Sequence, residues 1–439
     1  MIRDRAALEA AMDRRVLLRM AAAAGLGAAL LPRLAWASAQ PELTPHVRAL
    51  VERWVGPGKF PGLVASLGLP GREAEFVARG AEGFTDADPV TPDSLFRIYS
   101  MTKPVTAMAA MQLIAQGRLG LDQPVHEVLP GFRHLDVQDT YDGSITALHP
   151  APSPITMRQL MTHTAGLGYT IVQEGPIRQL MQDKGLVPAS VTRLKGPGLD
   201  WGTPVKGLDH FADRLAQVPL VADPGTRWSY SMGLDLMGRV IEVVTGRPFD
   251  AYLHDTIFAP AGMTSTWFRV PASEAHRLTV NYGAFGEVLV PIDPPSAEGS
   301  TSVYLDPPAF PFGGAGLVSS PRDYDRFLRL LAQFGTIDGV RVFDESAVRA
   351  GTSDLLPPGV AMPARFAGSG FGAGGRVGKG AEAGIYGWSG AAGTVGMVDM
   401  AHGLRSQIFA QFMPPDAFDL LPEFQSALKA DVLAILETR

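Results

Sequence analysis

A chain of 439 residues, 46% of them hydrophobic, can bury a large core and is long enough for two lobes. Its formal net charge is −6, and no basic block or basic-aromatic stripe occurs outside the N-terminus, so neither nucleic acid nor an anionic membrane surface is an expected partner. Cysteine is absent, which excludes disulfides, thiolate metal sites and a cysteine nucleophile, and the nine histidines lack paired-ligand spacing, so no metal is expected either.

The N-terminus opens with Asp13-Arg14-Arg15-Val16-Leu17-Leu18-Arg19, then an Ala/Gly/Leu run from Met20 to Leu31, then the small-x-small sites Ala35-Trp36-Ala37 and Ala37-Ser38-Ala39. This layout predicts a twin-arginine-type export signal over residues 1–39 and a periplasmic or secreted protein; without such a signal the chain would be cytoplasmic. The apolar run falls short of the roughly 20 residues a spanning helix needs, so no membrane anchor is expected after cleavage. Residues 1–39 carry six arginines against three acidic residues, so their removal takes the net charge from −6 to −9.

Residues 41–55 read as a short helix, and Leu63–Leu69 with Glu73–Arg79 as a hairpin about Pro70-Gly71. Next comes Ser100-Met101-Thr102-Lys103, at the mouth of an apolar helical run from Val105 to Ala115 that stops at Gly117. A lysine at i+3 shares a helix face with the serine, and backbone N–H groups of a first turn lack intrahelical partners and favour developing negative charge. Ser100 is therefore a candidate nucleophile. A second Ser-x-x-Lys, Ser426 to Lys429, lies in a C-terminal amphipathic pattern and reads as a solvated helix face.

The Pro/Gly/Thr-rich stretch 130–154 lacks periodicity and reads as loop; Ile155 to Met161 reads as helix, ending at His163-Thr164-Ala165-Gly166, where His163 is expected to satisfy local backbone groups. Residues 185–207 form a Gly/Pro-containing excursion of the length that functional loops have. Tyr230 directly precedes a helix from Leu234 to Thr245, closed by Gly246. A tyrosine on such a turn can project its hydroxyl into a cleft and act as a base beside an ammonium. Gly370-x-Gly372-x-x-Gly375 matches the dinucleotide fingerprint, but neither a helix pattern nor a ribose acid follows, so a glycine-rich strand or loop and no cofactor are expected. Tyr386–Ala391, Thr394–Met400 and Leu404–Met413 read as strands, and 422–436 as a closing helix. Strands at both ends with helices between them predict an α+β chain, with one lobe from about 40–95 and 300–439 and a mostly helical lobe at about 96–299. The glycines of Gly387-Trp388-Ser389-Gly390-Ala391 let a strand backbone approach a ligand closely. The segment is not a strict Gly-x-Ser-x-Gly and no strand-to-helix elbow follows, which disfavours an α/β-hydrolase.

Ser100-x-x-Lys103, Tyr230-Ser231 and Trp388-Ser389-Gly390, in that order and spacing, resemble the penicillin-recognising serine hydrolases, and within them the class C β-lactamase-like family VIII carboxylesterases. The resemblance runs from about residue 45 to 435 and includes Leu95-Phe96-Arg97-Ile98-Tyr99, Leu160 to Leu167, and Gly313-Gly314-Ala315-Gly316-Leu317-Val318-Ser319-Ser320. It implies a β-lactamase/transpeptidase-like fold: an antiparallel sheet flanked by helices, plus an inserted helical lobe. It implies further that Ser100 is acylated, that Lys103 and Tyr230 share the proton transfers, and that the N–H groups of Ser100 and Ala391 form the oxyanion hole. Trp388, Ser389, Gly390 and Met232 would then contact the substrate. Two positions depart from the β-lactamase pattern. Tyr-x-Asn reads Tyr230-Ser231-Met232, which removes an amide that would bind a substrate amide, and Lys-Thr-Gly reads Trp388-Ser389-Gly390, which removes the cation that would hold a carboxylate. Both point to a small neutral ester as the partner. The alternatives are a β-lactamase or D-amino-acid peptidase or amidase, and a non-catalytic cell-wall-binding module; the intact Ser100, Lys103 and Tyr230 weigh against the last.

Overall fold

Antiparallel pairing joins the two ends of the chain in this computed structural model, which describes residues 44–437 apart from 57, 195–201, 295, 298 and 299. The expected export signal at 1–39, and part of the 185–207 excursion, lie outside the described residues. The N-terminal strands are β1 (Gly62–Gly68), β2 (Glu75–Gly83) and β3 (Asp86–Pro89); the C-terminal ones are β4 (Gly370–Phe371), β5 (Arg376–Val377), β6 (Ile385–Gly390), β7 (Thr394–Asp399) and β8 (Leu404–Phe409). Among the described residues they form one eight-stranded sheet in the order β4-β5-β6-β7-β8-β1-β2-β3. β1 closes it by pairing with β8 on one side, Val64 opposite Phe409, and with β2 on the other, Val64 opposite Ala78. This is the β-lactamase/transpeptidase-like arrangement that the sequence led us to expect.

Side-chain alternation assigns the two faces. Leu63 and Ala65 of β1, Val395 of β7 and Ile408 of β8 pack with Val47, Leu50 and Val51 of helix α1 (Pro45–Trp54) and with Leu420 and Phe424 of the closing helix, Leu420–Glu437. Their neighbours Val64, Val398 and Phe409 turn to the other face, into the main core. That core holds α2 (Thr102–Ala115), whose residues from Thr102 to Met111 are all buried. A helix apolar on every side belongs in an interior rather than on a surface, so α2 carries the start of its first turn to the centre of the molecule. The core also holds α3 (Met157–Thr162), α4 (Gly233–Thr245) and α5 (Pro321–Ala332), the last packed on β7 and β8.

Several elements differ from their sequence-based bounds. Leu404–Met413 is not one strand: β8 ends at Phe409, and Phe412–Met413 pairs in parallel with Tyr282–Gly283 in a separate sheet. The break falls at Gln411, whose side-chain amide pairs with the backbone of Arg97 on both its N–H (3.0 Å) and its C=O (3.1 Å) and so replaces a strand partner. The stretch 130–154 contains a two-stranded ladder, Asp136–Gln138 against Leu148–Pro150, with too few residues per strand to show alternation. The Gly370–Gly375 motif enters the large sheet at β4 and then turns beneath α2: Gly374 sits at φ +72°, and a Cβ there would stand 2.6 Å from the Lys103 carbonyl oxygen. Its glycines serve close packing of backbone on backbone, as expected for a strand or loop. No helix among the described residues is long and apolar enough to cross a membrane.

Candidate active site

Ser100 lies in the 3-10 turn Tyr99–Met101 that runs straight into α2. Tyr99 holds φ at 39°, a left-handed conformation that costs a non-glycine residue energy and is kept only where the surroundings enforce it. Here they do: Tyr99 is buried, its hydroxyl accepts a hydrogen bond from Asn281 Nδ2 (3.0 Å), and Tyr324 of α5 donates to the Met101 carbonyl (3.2 Å). The end of β6 presses on the same turn, since a Cβ on Gly390 would collide with the carbonyl oxygen of Ile98. Gly390 is thus the close-approach glycine of the pattern, and Ala391 follows it in the small cluster that also contains Tyr99.

Lys103 is fully buried one turn into the interior. Its Nζ donates to Ser100 Oγ (3.1 Å) and to the Gly314 carbonyl (2.7 Å), and it stands 4.5 Å from the ring centroid of Tyr230 and 5.5 Å from that of Tyr169. Aromatic faces attract such a cation, more strongly where water is excluded. The hydroxyl of Tyr230 accepts a hydrogen bond from Trp388 Nε1 (3.1 Å). The structure therefore brings together Ser100, Lys103, Tyr230 and Trp388, which the sequence places up to 288 positions apart.

Three other expected contacts are less uniform. Gly390 is buried and Ser389 is half-buried on β6. Met232, the residue just before α4, has no exposed surface and packs within the main core. Its thioether occupies apolar surroundings where a polar amide would need a partner.

Other groups at the site were not singled out as candidates. His163 caps α3 in the left-handed conformation (φ 58°), its carbonyl accepts from Ser229 N (2.9 Å), and its Nδ1 accepts from Ser231 N (3.2 Å). These bonds fix the segment that carries Tyr230, whose ring lies 4.6 Å away, in line with the structural role expected of this histidine. Burial, and then the charge of Lys103, push its pKa well below the usual value, so the ring is neutral, and the tautomer assigned from Nδ1 acceptance carries its proton on Nε2. Asp235, in the first turn of α4, is buried and accepts from Gly314 N through Oδ1 (2.9 Å). Burial raises its carboxyl to about 6 against the opposing charge of Lys103. The only sequence signal for Asp235 is an acid in a helix's first turn, a common and usually structural position. On the outer side, the stretch 130–154 is strapped to the Tyr230 segment: Tyr141 bonds to Ser229 (3.0 Å) and takes a hydrogen bond from Gln173 (2.7 Å), and Arg227 stacks on its ring at 3.8 Å. Among the described residues, no group of His, Asp or Glu is placed to hold a metal ion.

A family model described as Beta-lactamase matches residues 47–428. An uncharacterised protein of Mycobacterium tuberculosis is 35% identical over 280 residues, 62% of this chain and 63% of its own length. The chain thus spans less than two thirds of that relative. Esterase EstB of Burkholderia gladioli is 33% identical over 365 residues, 78% of this chain and 84% of its own length. Among solved structures, EstCE1, titled a hydrolase with promiscuous acyltransferase activity, aligns with a TM-score of 0.71 at 25% identity, covering 88% of this chain and 98% of that one.

Proposed function

This chain belongs to the beta-lactamase family, and from that premise we propose that it is a serine hydrolase that cleaves carboxylic esters through an acyl-enzyme on Ser100. The observation that carries the reading is the Trp388 indole at the Tyr230 hydroxyl: an uncharged donor occupies the place where the lactamase pattern has its lysine. Such a site retains a donor for the tyrosine oxygen but has no cation there to hold a substrate carboxylate. The resemblance to an esterase, EstB, supports the same choice.

In this reading Tyr230 works as the phenolate, and its oxygen takes the Ser100 proton as Oγ bonds to the ester carbonyl carbon, with Lys103 holding Oγ in place. The N–H groups of Ser100 and Ala391 take the charge that develops on the carbonyl oxygen. Collapse of the intermediate breaks the bond to the alcohol oxygen, which leaves with the proton from Tyr230. Water, deprotonated by the same oxygen, then attacks the acyl carbon; the bond to Ser100 Oγ breaks, and Oγ takes that proton back from Tyr230, which returns to the phenolate.

The test compares a chromogenic butyrate ester with a chromogenic cephalosporin, using wild type and Ser100→Ala. The expected outcome is ester turnover that Ser100→Ala abolishes, with cephalosporin turnover far slower. Ester turnover surviving in Ser100→Ala would remove the nucleophile assignment. Rapid cephalosporin turnover without ester turnover would establish the lactamase alternative, and a wild type inert to both and to a fluorophosphonate would establish a non-catalytic module. We propose also that residues 1–39 export the protein, on the paired arginines and small-x-small sites noted above. N-terminal sequencing of the protein from its native host is expected to begin after Ala37 or Ala39, and a retained Met1 refutes it.

A further inference from the structure

The geometry assigns Asp235 as a positioning residue, the buried carboxylate that holds the Gly313–Gly314 strap against Lys103 and supplies the negative charge on that side of it. The inference rests on the esterase reading above.

The strap is fastened at three points. Thr106 Oγ1 of α2 donates to the Gly313 carbonyl (2.7 Å), Lys103 Nζ donates to the Gly314 carbonyl (2.7 Å), and Gly314 N donates to Asp235 Oδ1 (2.9 Å). The fit leaves no room for a side chain: a Cβ on Gly314 would stand 2.7 Å from Asp235 Oδ2. Asp235 thus reaches Lys103 through one glycine, and its other oxygen, Oδ2, is buried without a hydrogen-bond partner. An acid that served only the dipole of α4 could lie at the surface; this one is 1% exposed. A buried carboxylate with an unpaired oxygen is unfavourable unless a positive charge lies close.

The groups that face Lys103 leave little choice of counter-charge. They are Ser100 from its own turn, Tyr169, Tyr230 and His163 from the segments packed over it, and Asp235 from α4. Burial keeps Tyr169 protonated and His163 neutral. Among these described residues Asp235 is the carboxylate, and in the proposed reaction it fixes Lys103 at Ser100 Oγ while Tyr230 exchanges the protons.

The experiment is the pH profile of kcat/KM for the butyrate ester, with fluorophosphonate labelling of Ser100 followed in parallel, on wild type, Asp235→Asn and Gly314→Ala. Asparagine can still accept from Gly314 N but carries no charge. The alkaline limb of this variant is expected at lower pH than in wild type, because the buried site has lost the negative charge on the Lys103 side of the strap. Activity one unit above the new limb should be about a tenth of the variant's own plateau, with KM little changed. Gly314→Ala, which pushes the carboxylate from its donor, is expected to move the limb in the same direction and supplies the test if Asp235→Asn does not fold. A folded variant with lowered activity but the wild-type limb shows a merely structural role and overturns the proposal. Wild type that is neither labelled nor active instead overturns the esterase reading on which it rests.

Discussion

Trp388 joins the polar and the apolar parts of the site in one side chain. Its indole N–H reaches the Tyr230 oxygen at 3.1 Å, while its ring packs against Phe366 and Phe371. A neutral donor strengthens as charge gathers on the oxygen it serves, and a hydrogen bond to a charged group contributes about 1.5–3 kcal/mol. Trp388→Phe removes the N–H and keeps most of the apolar volume. It is therefore expected to lower kcat for the ester about 10- to 100-fold, with KM nearly unchanged, because the lost bond matters most while a proton moves. Unchanged kcat in a folded Trp388→Phe would show that the indole only fills space. At this scale the meeting of Ser100, Lys103 and Tyr230 was legible in the sequence, since serine and lysine are three apart and the tyrosine abuts a helix start. The donor role of Trp388 was not, because that bond links positions 158 apart and nothing local to either residue signals it. Asp235 was hidden for the same reason: its partner Gly314 is 79 positions away.

Among the elements, legibility followed length and the number of faces in contact with other parts of the chain. β1 and β6 were found within a residue of their bounds, for each carries a run bounded by turn residues. α2 shows no apolar stripe because its residues from Thr102 to Met111 are buried on every side, yet its apolar run and the glycine after it were enough to mark a helix. The ladder of Asp136–Gln138 with Leu148–Pro150 offered three residues per strand, too few for a period-two signal, and it is positioned by contacts rather than by its own pattern. His149 bridges Asp139 at 2.8 Å and Asp223 at 3.0 Å, and Tyr141 reaches Ser229, so the ladder is secured to the chain that leads into Tyr230. The division of Leu404–Met413 was likewise invisible locally. It depends on Gln411 meeting Arg97, itself fixed by a buried pair with Asp293 (2.6 Å). A continuous β-like sequence cannot reveal where a side-chain amide takes over from backbone pairing.

The whole molecule separates stability from chemistry by the two faces of its large sheet. The Ser100 turn, α2 and the strap lie on one face; α1 and the closing helix cover the other. On that second face the chain ends are tied by Asp431, whose carboxylate takes the N–H groups of His46 and Val47 at 2.9 Å each and meets His46 Nδ1 at 2.7 Å. The side chain of α1's own N-cap residue, Thr44, makes no capping bond, so a residue 384 to 385 positions away caps α1. Removing a cap costs about 0.5–2 kcal/mol, and the backbone donors that lose Asp431 have no substitute nearby in the helix itself. Asp431→Ala is therefore expected to lower Tm by a few degrees while leaving kcat/KM for the ester at the wild-type value, because its hydrogen bonds among the described residues run to α1, on the face of the sheet away from Ser100. Thermal unfolding followed by circular dichroism, beside initial-rate assays at a temperature well below Tm, reads both quantities. An unchanged Tm would mean that the tie contributes nothing to stability. A fall in kcat/KM with Tm preserved would mean that the two faces are coupled through the sheet, so that the terminal helices help to shape the site as well as to close the fold.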